Sequence, residues 1–278
     1  MFSWGGSSPV PETVHLGGSG TYGSGLAVDR TYWIAAAVAV ALLAVFLLQG
    51  YYPGAMETFV DVATPAAAGV AVLTALRTGK RYGPGSGAEF GRAWQLFLFG
   101  AVSWLIAEVT WSAYALLLNT PVPYPSLADV FYVAGYAFFG SGLMYYLKTF
   151  HQRLDRGDLV LVVGTLAVAS FLVGVTLAGP VLLSSAPPLT KAFDLMYPML
   201  DVVLLAGAAF GLSVFRAGRL GRPWLLIVMA MLVDVAADVV FSYMYAQGTY
   251  AYGTASDLLY IWAYVILGLA FYQHGKEF

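Results

Sequence analysis

The chain has 278 residues, of which 60% are hydrophobic and 10% charged, and its formal net charge is −2. Soluble domains are about one quarter charged, so this composition, with a mean hydropathy of +0.75, indicates an integral membrane protein. The small net charge argues against a nucleic-acid partner. Cysteine does not occur in the sequence, which excludes disulfides, thiolate catalysis and cysteine-based metal sites.

The first 30 residues differ from the rest of the chain. They are rich in Gly, Ser and Pro and show no hydrophobic period, which predicts a flexible tail. A secretory signal is not expected there, because no basic region precedes an apolar core.

Eight apolar segments follow, and each is long enough to cross the hydrocarbon core of a bilayer. Breaker sequences such as YYPG, YGPGSG, PVPYP and APP separate several of them. The predicted fold is therefore an all-α integral membrane protein with eight transmembrane helices. The predicted spans are 31–49, 58–76, 93–117, 127–147, 159–178, 191–214, 223–246 and 255–273.

Basic residues alternate between the loops. The loops after spans 1, 3 and 7 contain no Lys or Arg, and the loop after span 5 has only Lys191. Because basic residues resist translocation, this pattern predicts a multi-pass protein of the cell membrane with both termini in the cytoplasm. The basic loops after spans 2, 4 and 6 contain Arg77, Lys80, Arg81 and Arg92, then Lys148, Arg153 and Arg156, then Arg216, Arg219 and Arg222.

Several phrases occur twice. YPSLADVFY at 124–132 resembles YGTASDLLY at 252–260, and GRAWQL at 91–96 resembles GRPWLL at 221–226. DVATP, which begins at Asp61, resembles DLMYP, which begins at Asp194. We therefore predict two parallel four-helix repeats, 31–158 and 159–278, related by a pseudo-two-fold axis along the membrane normal.

Four aspartates lie near the predicted starts of the even-numbered helices. Three of them end a hydroxyl-x-x-acid pattern (TFVD, SLAD and TASD), which is typical of a capping box. A carboxylate is also stabilised at the positive end of the helix dipole. The pattern predicts helix-capping roles for Asp61, Asp129, Asp194 and Asp257.

Capping does not explain four acids inside spans 3, 6 and 7, and an acid within a membrane costs about 2.5–3.5 kcal/mol on insertion scales. Glu108 and Asp238 lie in the outer halves of their spans, so we expect one acid pair in each repeat, Glu108 with Asp129 and Asp238 with Asp257. Asp201 and Asp234 have no assigned role. The candidate residues for a ligand or cation site are Glu108, Ser112, Asp129, Tyr132, Asp238, Ser242, Asp257 and Tyr260.

Three interpretations of these acids stay open. They are hydrogen-bonded groups that hold helices together, a site open to the exterior for a cation, a proton or a polar ligand, or a catalytic carboxylate pair. Nothing in the sequence supplies a nucleophile matched to such a pair, so we do not expect an enzyme. The sequence does not indicate whether a metal binds.

No cofactor is expected. His15 lies in the tail, and His151 and His274 are expected to be solvated, so an intramembrane haem has no ligand. No lysine lies in the interior of a span, which excludes a retinal Schiff base. The GPGSG loop does not follow a strand and so is not a phosphate-binding loop.

The stretches PSLADVFYVAGYAFFGSGL (125–143) and ADVVFSYMYAQGTYAYGTASDLLYIWAYVILGLAFYQ (237–273) resemble the multi-spanning input domains of bacterial and archaeal signalling proteins. In that family such domains precede diguanylate cyclase, phosphodiesterase or histidine kinase modules. The resemblance implies a membrane sensor. Only QHGKEF follows the last span, so the resemblance implies signalling through a separate protein. The chain is also similar, in part, to the eight-span lysoplasmalogenase family.

The first functional hypothesis is therefore a non-enzymatic membrane module that senses a ligand or docks a partner, which would be another membrane or cytoplasmic protein beside the lipid bilayer. The second is a small-solute or ion-coupled transporter, with Asp201 and Asp234 as the coupling groups. The third is an intramembrane lipid hydrolase that uses the carboxylates.

Overall fold

The computed structural model describes residues 29–82, 88–118, 120, 122–149 and 155–277. The described residues form eight α-helices and two short 3₁₀ turns, without a strand, and each helix is long and apolar enough to cross a membrane. Residues 1–28 of the predicted tail, with His15, the GPGSG loop, His151 and Arg153 lie outside them. The last two residues of that predicted tail, Asp29 and Arg30, cap and begin α1 instead. The helices are α1 Arg30–Leu47, α2 Met56–Arg81, α3 Ala88–Leu116, α4 Leu127–Thr149, α5 Arg156–Leu183, α6 Pro188–Phe215, α7 Gly221–Ala246 and α8 Ala255–Lys276.

The eight predicted segments are confirmed in number and order, but several helices are longer than their apolar cores. α2 continues from the predicted end at 76 to Arg81, so that Lys80 and Arg81 form its last turn rather than a loop. Cations stabilise the negative end of a helix dipole. α5 continues to Leu183 with Pro180 inside it. Apolar periodicity ends before the helical hydrogen bonds do, so the sequence underestimates these lengths.

Six helices form a closed ring. α2 packs against α3 and α8, α4 packs against α3 and α6, and α7 packs against α6 and α8. The other two helices lie outside this ring, where α1 contacts α8 and α5 contacts α6 and α7. Few residues of α1 and α5 are buried. The inward faces of the six ring helices therefore meet along one axis.

Small residues allow close approach between the ring helices. A Cβ atom at Gly135 of α4 would lie 2.2 Å from Cδ1 of Trp104 on α3. A Cβ atom at Gly211 of α6 would lie 2.1 Å from Cζ3 of Trp224 on α7. Glycine thus lets a buried indole ring pack directly against the neighbouring backbone, as is common in membrane helix pairs.

The capping prediction is confirmed for α8 and wrong for α2 and α6. Thr254 and Asp257 form a capping box at the start of α8. In contrast, α2 begins at Met56 after a 3₁₀ turn, and α6 begins at Pro188, whose ring suits the first helical position. Asp61 and Asp194 consequently lie in the second turns of these helices and do not cap them.

The expectation that His274 is solvated is wrong. Its side chain is 1% exposed, with Nδ1 2.9 Å from the Tyr82 hydroxyl and Nε2 2.6 Å from the Tyr146 hydroxyl. Position near the end of the chain suggested exposure, but His274 follows Phe271 by three residues on the inward face of α8. Through these two hydrogen bonds His274 joins the ends of α2, α4 and α8. Burial at this junction also raises the pKa of the Tyr82 hydroxyl.

Candidate ligand-binding cavity

The ring encloses a cavity near one end, which we call the central cavity. Asp129 and Asp257 lie in the first turns of α4 and α8, while Glu108 and Asp238 lie eight residues before the ends of α3 and α7, or about 12 Å at the helical rise. The space open to the centre of a water-sized sphere is about 100 Å³. That is enough for several water molecules or a small ligand.

All eight candidate residues line this one cavity. Their roles in binding remain a prediction, but the ring brings them together from α3, α4, α7 and α8. They are Glu108, Ser112, Asp129, Tyr132, Asp238, Ser242, Asp257 and Tyr260.

Hydrogen bonds connect two of these acids to tyrosines of the other half of the chain, which the sequence does not predict. The Tyr264 hydroxyl on α8 donates to Glu108 Oε1 on α3 at 2.7 Å. The Tyr197 hydroxyl on α6 donates to Asp129 Oδ1 on α4 at 2.6 Å. These bonds cross from one half to the other because the ring closes through α2–α8 and α4–α6 contacts.

Two more tyrosines hold carboxyl groups in place. The Tyr260 hydroxyl donates to Asp238 Oδ1 at 2.6 Å, between α8 and α7. The Tyr136 hydroxyl donates to Asp201 Oδ1 at 2.6 Å, between α4 and α6. Such bonds between helices support the structural interpretation for these acids.

Asp257 lies in the cavity wall at the start of α8, next to the loop that precedes this helix, which we call the rim loop. Its carboxylate accepts hydrogen bonds from the Tyr250 hydroxyl at 3.0 Å and from the backbone N–H of Gly253 at 2.7 Å. Gly253 has a φ of +88°, a conformation that glycine adopts without strain. Its carbonyl accepts a bond from Gln49 Nε2 at 3.1 Å, so the rim loop is fixed to the turn after α1. Burial and then the charge of Asp257 raise the pKa of Tyr250.

The acids without an assigned role occupy different places. Asp234 lines the central cavity, and Asp201 lies next to it, bonded to Tyr136. The second oxygens of Asp201 and Asp238 are buried without a hydrogen-bonding partner in the described residues. The α6–α7 side of the cavity therefore holds three neighbouring carboxyl groups.

Asp61 also lines the cavity, and its carboxyl group lacks hydrogen bonds within the described residues. It is 2% exposed, and neither of its oxygens has a hydrogen-bonding partner in the part of the chain that the structure describes. Burial and then the charge of Asp61 raise the pKa of the neighbouring Tyr252, in the loop before α8, to about 12. A buried polar group without a partner requires an explanation.

A second cavity lies at the same end, and we call it the outer cavity. It measures about 360 Å³ and shares Trp111 and Tyr250 with the central cavity. Glu57 and Tyr252 also line it, and Glu57 is exposed. The outer cavity therefore adjoins the central cavity at the shared pair of aromatic residues.

The lining limits the chemistry of the site. No Lys, Arg or His lines the central cavity among the described residues, and these residues contain no group of three or more His, Asp or Glu arranged to hold a metal ion. Ser112 and Ser242 carry hydroxyls, but no lining imidazole is present in the described ranges to activate them. Binding a positively charged or hydrogen-bonding ligand is the simplest use of these groups.

Sequence reasoning missed several lining residues. Tyr136 and Tyr264 follow the candidate residues Tyr132 and Tyr260 by four positions, which places them on the same helix faces, so that spacing was an available signal. The sequence around Asp61 predicts a helix cap and not a lining residue. Tyr197 gave no comparable signal, because its role depends on α6 packing beside α4.

Comparison of the chain with protein-family models, with characterised proteins and with solved structures found no match.

Proposed function

We propose that this chain is a multi-pass protein of the cell membrane with both termini in the cytoplasm and the central cavity facing the exterior. Among the described residues, every basic side chain except Lys191 belongs to the helix ends remote from the cavity or to the connections there. Basic residues are retained on the cytoplasmic side. The acidic cavity and the basic ends thus lie at opposite ends of the bundle.

The proposal includes two parallel repeats, 31–158 and 159–278. The α2–α3 and α3–α4 contacts of the first have counterparts in the α6–α7 and α7–α8 contacts of the second. The contact of α2 with α8 likewise corresponds to that of α6 with α4. The outermost helices differ, because α1 contacts α8 whereas α5 contacts α6 and α7.

The function that the site supports best is ligand binding by a non-enzymatic module that passes the occupancy of its cavity to a separate protein. The observation that carries it is that carboxyl groups from five helices converge, with tyrosines, on one cavity that no basic side chain of the described residues lines. Several of these carboxyl groups accept hydrogen bonds from tyrosine hydroxyls of other helices. A ligand that displaces one of these hydroxyls therefore changes a contact between helices. Such a differential contact is what shifts a conformational equilibrium.

The resemblance to bacterial and archaeal input domains supports this function. The two stretches that carry it, 125–143 and 237–273, contribute Asp129 and Asp257 to the cavity. In such a system the output module belongs to a partner, either a membrane subunit or a cytoplasmic protein.

Gentle affinity purification from native membranes, followed by mass spectrometry, tests the proposal. We expect a stoichiometric partner, and we expect the double variant Glu108→Gln/Asp238→Asn to change the amount that is retained. If the chain purifies alone, the proposal that it acts through a partner protein is wrong. If a partner is retained equally by the wild type and the double variant, the acids are structural and the sensing role is wrong.

Transport is the second candidate, since a polar cavity between the two halves of a repeat is typical of carriers. Asp201 and Asp234 are then the groups that couple substrate to ion movement. Reconstituted proteoliposomes test it: flux of protons or small cations that is lost in Asp234→Asn supports transport, and the absence of flux in a folded preparation rejects it.

A further inference from the structure

The carboxyl group of Asp61 accepts no hydrogen bond from the described residues. It lies on the inward face of α2, is 2% exposed, and lines the central cavity with both oxygens unpartnered. Buried polar groups in folded proteins are almost always hydrogen-bonded, and burial of an unpaired carboxylate is strongly unfavourable. A ligand in the cavity that Asp61 lines would supply such a partner.

Four other carboxyl groups of the lining accept hydrogen bonds within the described residues. Glu108 accepts a hydrogen bond from Tyr264, Asp129 from Tyr197 and Asp238 from Tyr260. Asp257 accepts bonds from Tyr250 and from backbone N–H groups. Asp61 is thus the lining carboxyl group of which both oxygens are buried without a hydrogen-bonding partner in the described residues.

The rest of the wall consists largely of aromatic rings. Trp104, Trp111 and Phe241 line the cavity together with several tyrosines. The faces of aromatic rings attract cations, and the attraction is stronger in a site that excludes water. Acidic and aromatic groups together, without a lining basic residue in the described ranges, select for positive charge.

The same geometry disfavours a bare metal ion. Divalent cations need a shell of about six oxygen ligands, but no group of three or more acids or histidines in the described residues is arranged to hold a metal ion. An organic ammonium ion instead presents N–H donors or methyl groups, which fit a single carboxylate surrounded by rings.

We infer that the central cavity binds a small organic ammonium ion, with Asp61 as its counter-ion and the aromatic rings of the lining around it. This inference rests on the proposed ligand-binding function and adds the chemical class of the ligand. A volume of about 100 Å³ for sphere centres restricts the buried part of the ligand to a compact head group. The outer cavity, lined by the exposed Glu57, is the approach for such a cation.

The direct test measures binding to the purified full chain in lipid nanodiscs. The probes are methylammonium and tetramethylammonium chloride, with tert-butanol as an uncharged compact control and sodium chloride at the same ionic strength. Tryptophan fluorescence reports on the cavity through Trp104 and Trp111, which line it. Ligand-dependent thermal stabilisation is the second readout. We expect saturable binding of at least one ammonium ion and no saturable response to either control.

The matched variants are Asp61→Asn and Asp194→Asn. Asp194 is also fully buried with unpartnered oxygens in the described residues, but it is not part of the cavity wall. We expect Asp61→Asn to weaken ammonium binding roughly thirtyfold or more, as for loss of a buried charge partner. Asp194→Asn is expected to stay within about twofold of the wild type.

A second pair of variants decides the question if Asp61→Asn does not fold. Trp111→Leu removes a ring of the wall, and Trp33→Leu removes an exposed ring of α1. We expect only Trp111→Leu to weaken ammonium binding, by about fivefold or more. Equal responses to ammonium ions and tert-butanol overturn the inference, as does ammonium binding unaffected by either cavity variant.

Failure of the inference is distinguishable from failure of the proposed function. Suppose that no ammonium ion binds, but that a stoichiometric partner is retained and the amount changes in the Glu108→Gln/Asp238→Asn variant. The inferred ligand class is then wrong, and the proposed sensing function stands. If ammonium ions bind as expected and no partner is found, the ligand class holds and the signalling role is wrong.

Discussion

Asp61 and Asp194 are both buried carboxyl groups without hydrogen-bonding partners in the described residues, but only Asp61 lines the central cavity. They occupy matching positions of the phrases DVATP and DLMYP, in the second turns of α2 and α6. Asp194 lies behind the cavity wall, beside the lining residue Tyr124. Burial, followed by the charge of Asp194, raises the pKa of that tyrosine. Equivalent sequence positions therefore have different surroundings.

The first prediction concerns the stability of the ligand-free protein. Asp61→Asn is expected to increase the free energy of unfolding by about 1–2 kcal/mol, because it removes the charge of a buried group that lacks a partner. For a chain of this size that is about 2–8 °C in melting temperature. The measurement is thermal unfolding in nanodiscs without added amines. A lower melting temperature would mean that the wild-type carboxylate already has a partner.

The second prediction tests the bond between α8 and α3. Tyr264→Phe removes the donor to Glu108 Oε1 and is expected to cost about 1–3 kcal/mol, because the carboxyl group stays buried. Tyr243→Phe, at an exposed tyrosine, is the control and should cost less than about 0.5 kcal/mol. In a Glu108→Met background the cost of Tyr264→Phe should fall to near zero. Additive effects in this double-mutant cycle would show that the two groups do not interact.

The third prediction concerns the close contact of α4 with α3. Gly135→Ala places a methyl group against the Trp104 indole, whose Nε1 donates to the Tyr132 carbonyl at 3.1 Å. We expect a loss of about 1–3 kcal/mol from overpacking. Gly164→Ala in α5 meets no atom within 4 Å and is expected to gain up to about 1 kcal/mol from helix propensity. Equal effects of the two variants on unfolding would contradict the described packing.

The fourth prediction concerns His274. His274→Phe keeps an aromatic ring but removes the hydrogen bonds to Tyr82 and Tyr146, with an expected loss of about 1–3 kcal/mol in unfolding free energy. Tyr146→Phe removes one of these bonds and should lose less. A His274→Phe protein as stable as the wild type would indicate that the imidazole is solvated after all.

The fifth prediction concerns the attachment of α1. Asp29 caps α1 by accepting from Thr31 N at 3.1 Å, and it pairs with Lys276 of α8. The hydrogen bond from Lys276, more than the cap itself, lowers the pKa of Asp29. The stabilisation is therefore fully present above the ordinary Asp pKa of about 3.9 and is lost as the pH falls through the lower folded-state value.

At pH 7 the variant Asp29→Ala is expected to speed amide hydrogen exchange in the first turns of α1 about two- to fivefold, because alanine removes both the cap and the ion pair. Asp155→Ala, which removes the corresponding cap of α5, should speed exchange in α5 and leave α1 unchanged. Unchanged exchange in α1 for Asp29→Ala would show that neither the cap nor the ion pair holds this helix.

The sequence by itself determined the number, order and class of the helices, because the length of an apolar run and the breakers around it are local properties. It also determined the capping box of Thr254 and Asp257, whose atoms lie within one helical turn. It selected eight residues that line the central cavity, since the acids among them stood out against an apolar background.

Only the tertiary structure decided which helices meet. Tyr264 reaches Glu108 across 156 residues and Tyr197 reaches Asp129 across 68, and local periodicity carries no information about such partners. Asp61 faces the cavity while Asp194 does not, although their local sequences match. The rotation of a helix and the identity of its neighbours depend on all of its packing surfaces together, so the charge environment of a buried acid follows from the assembled ring.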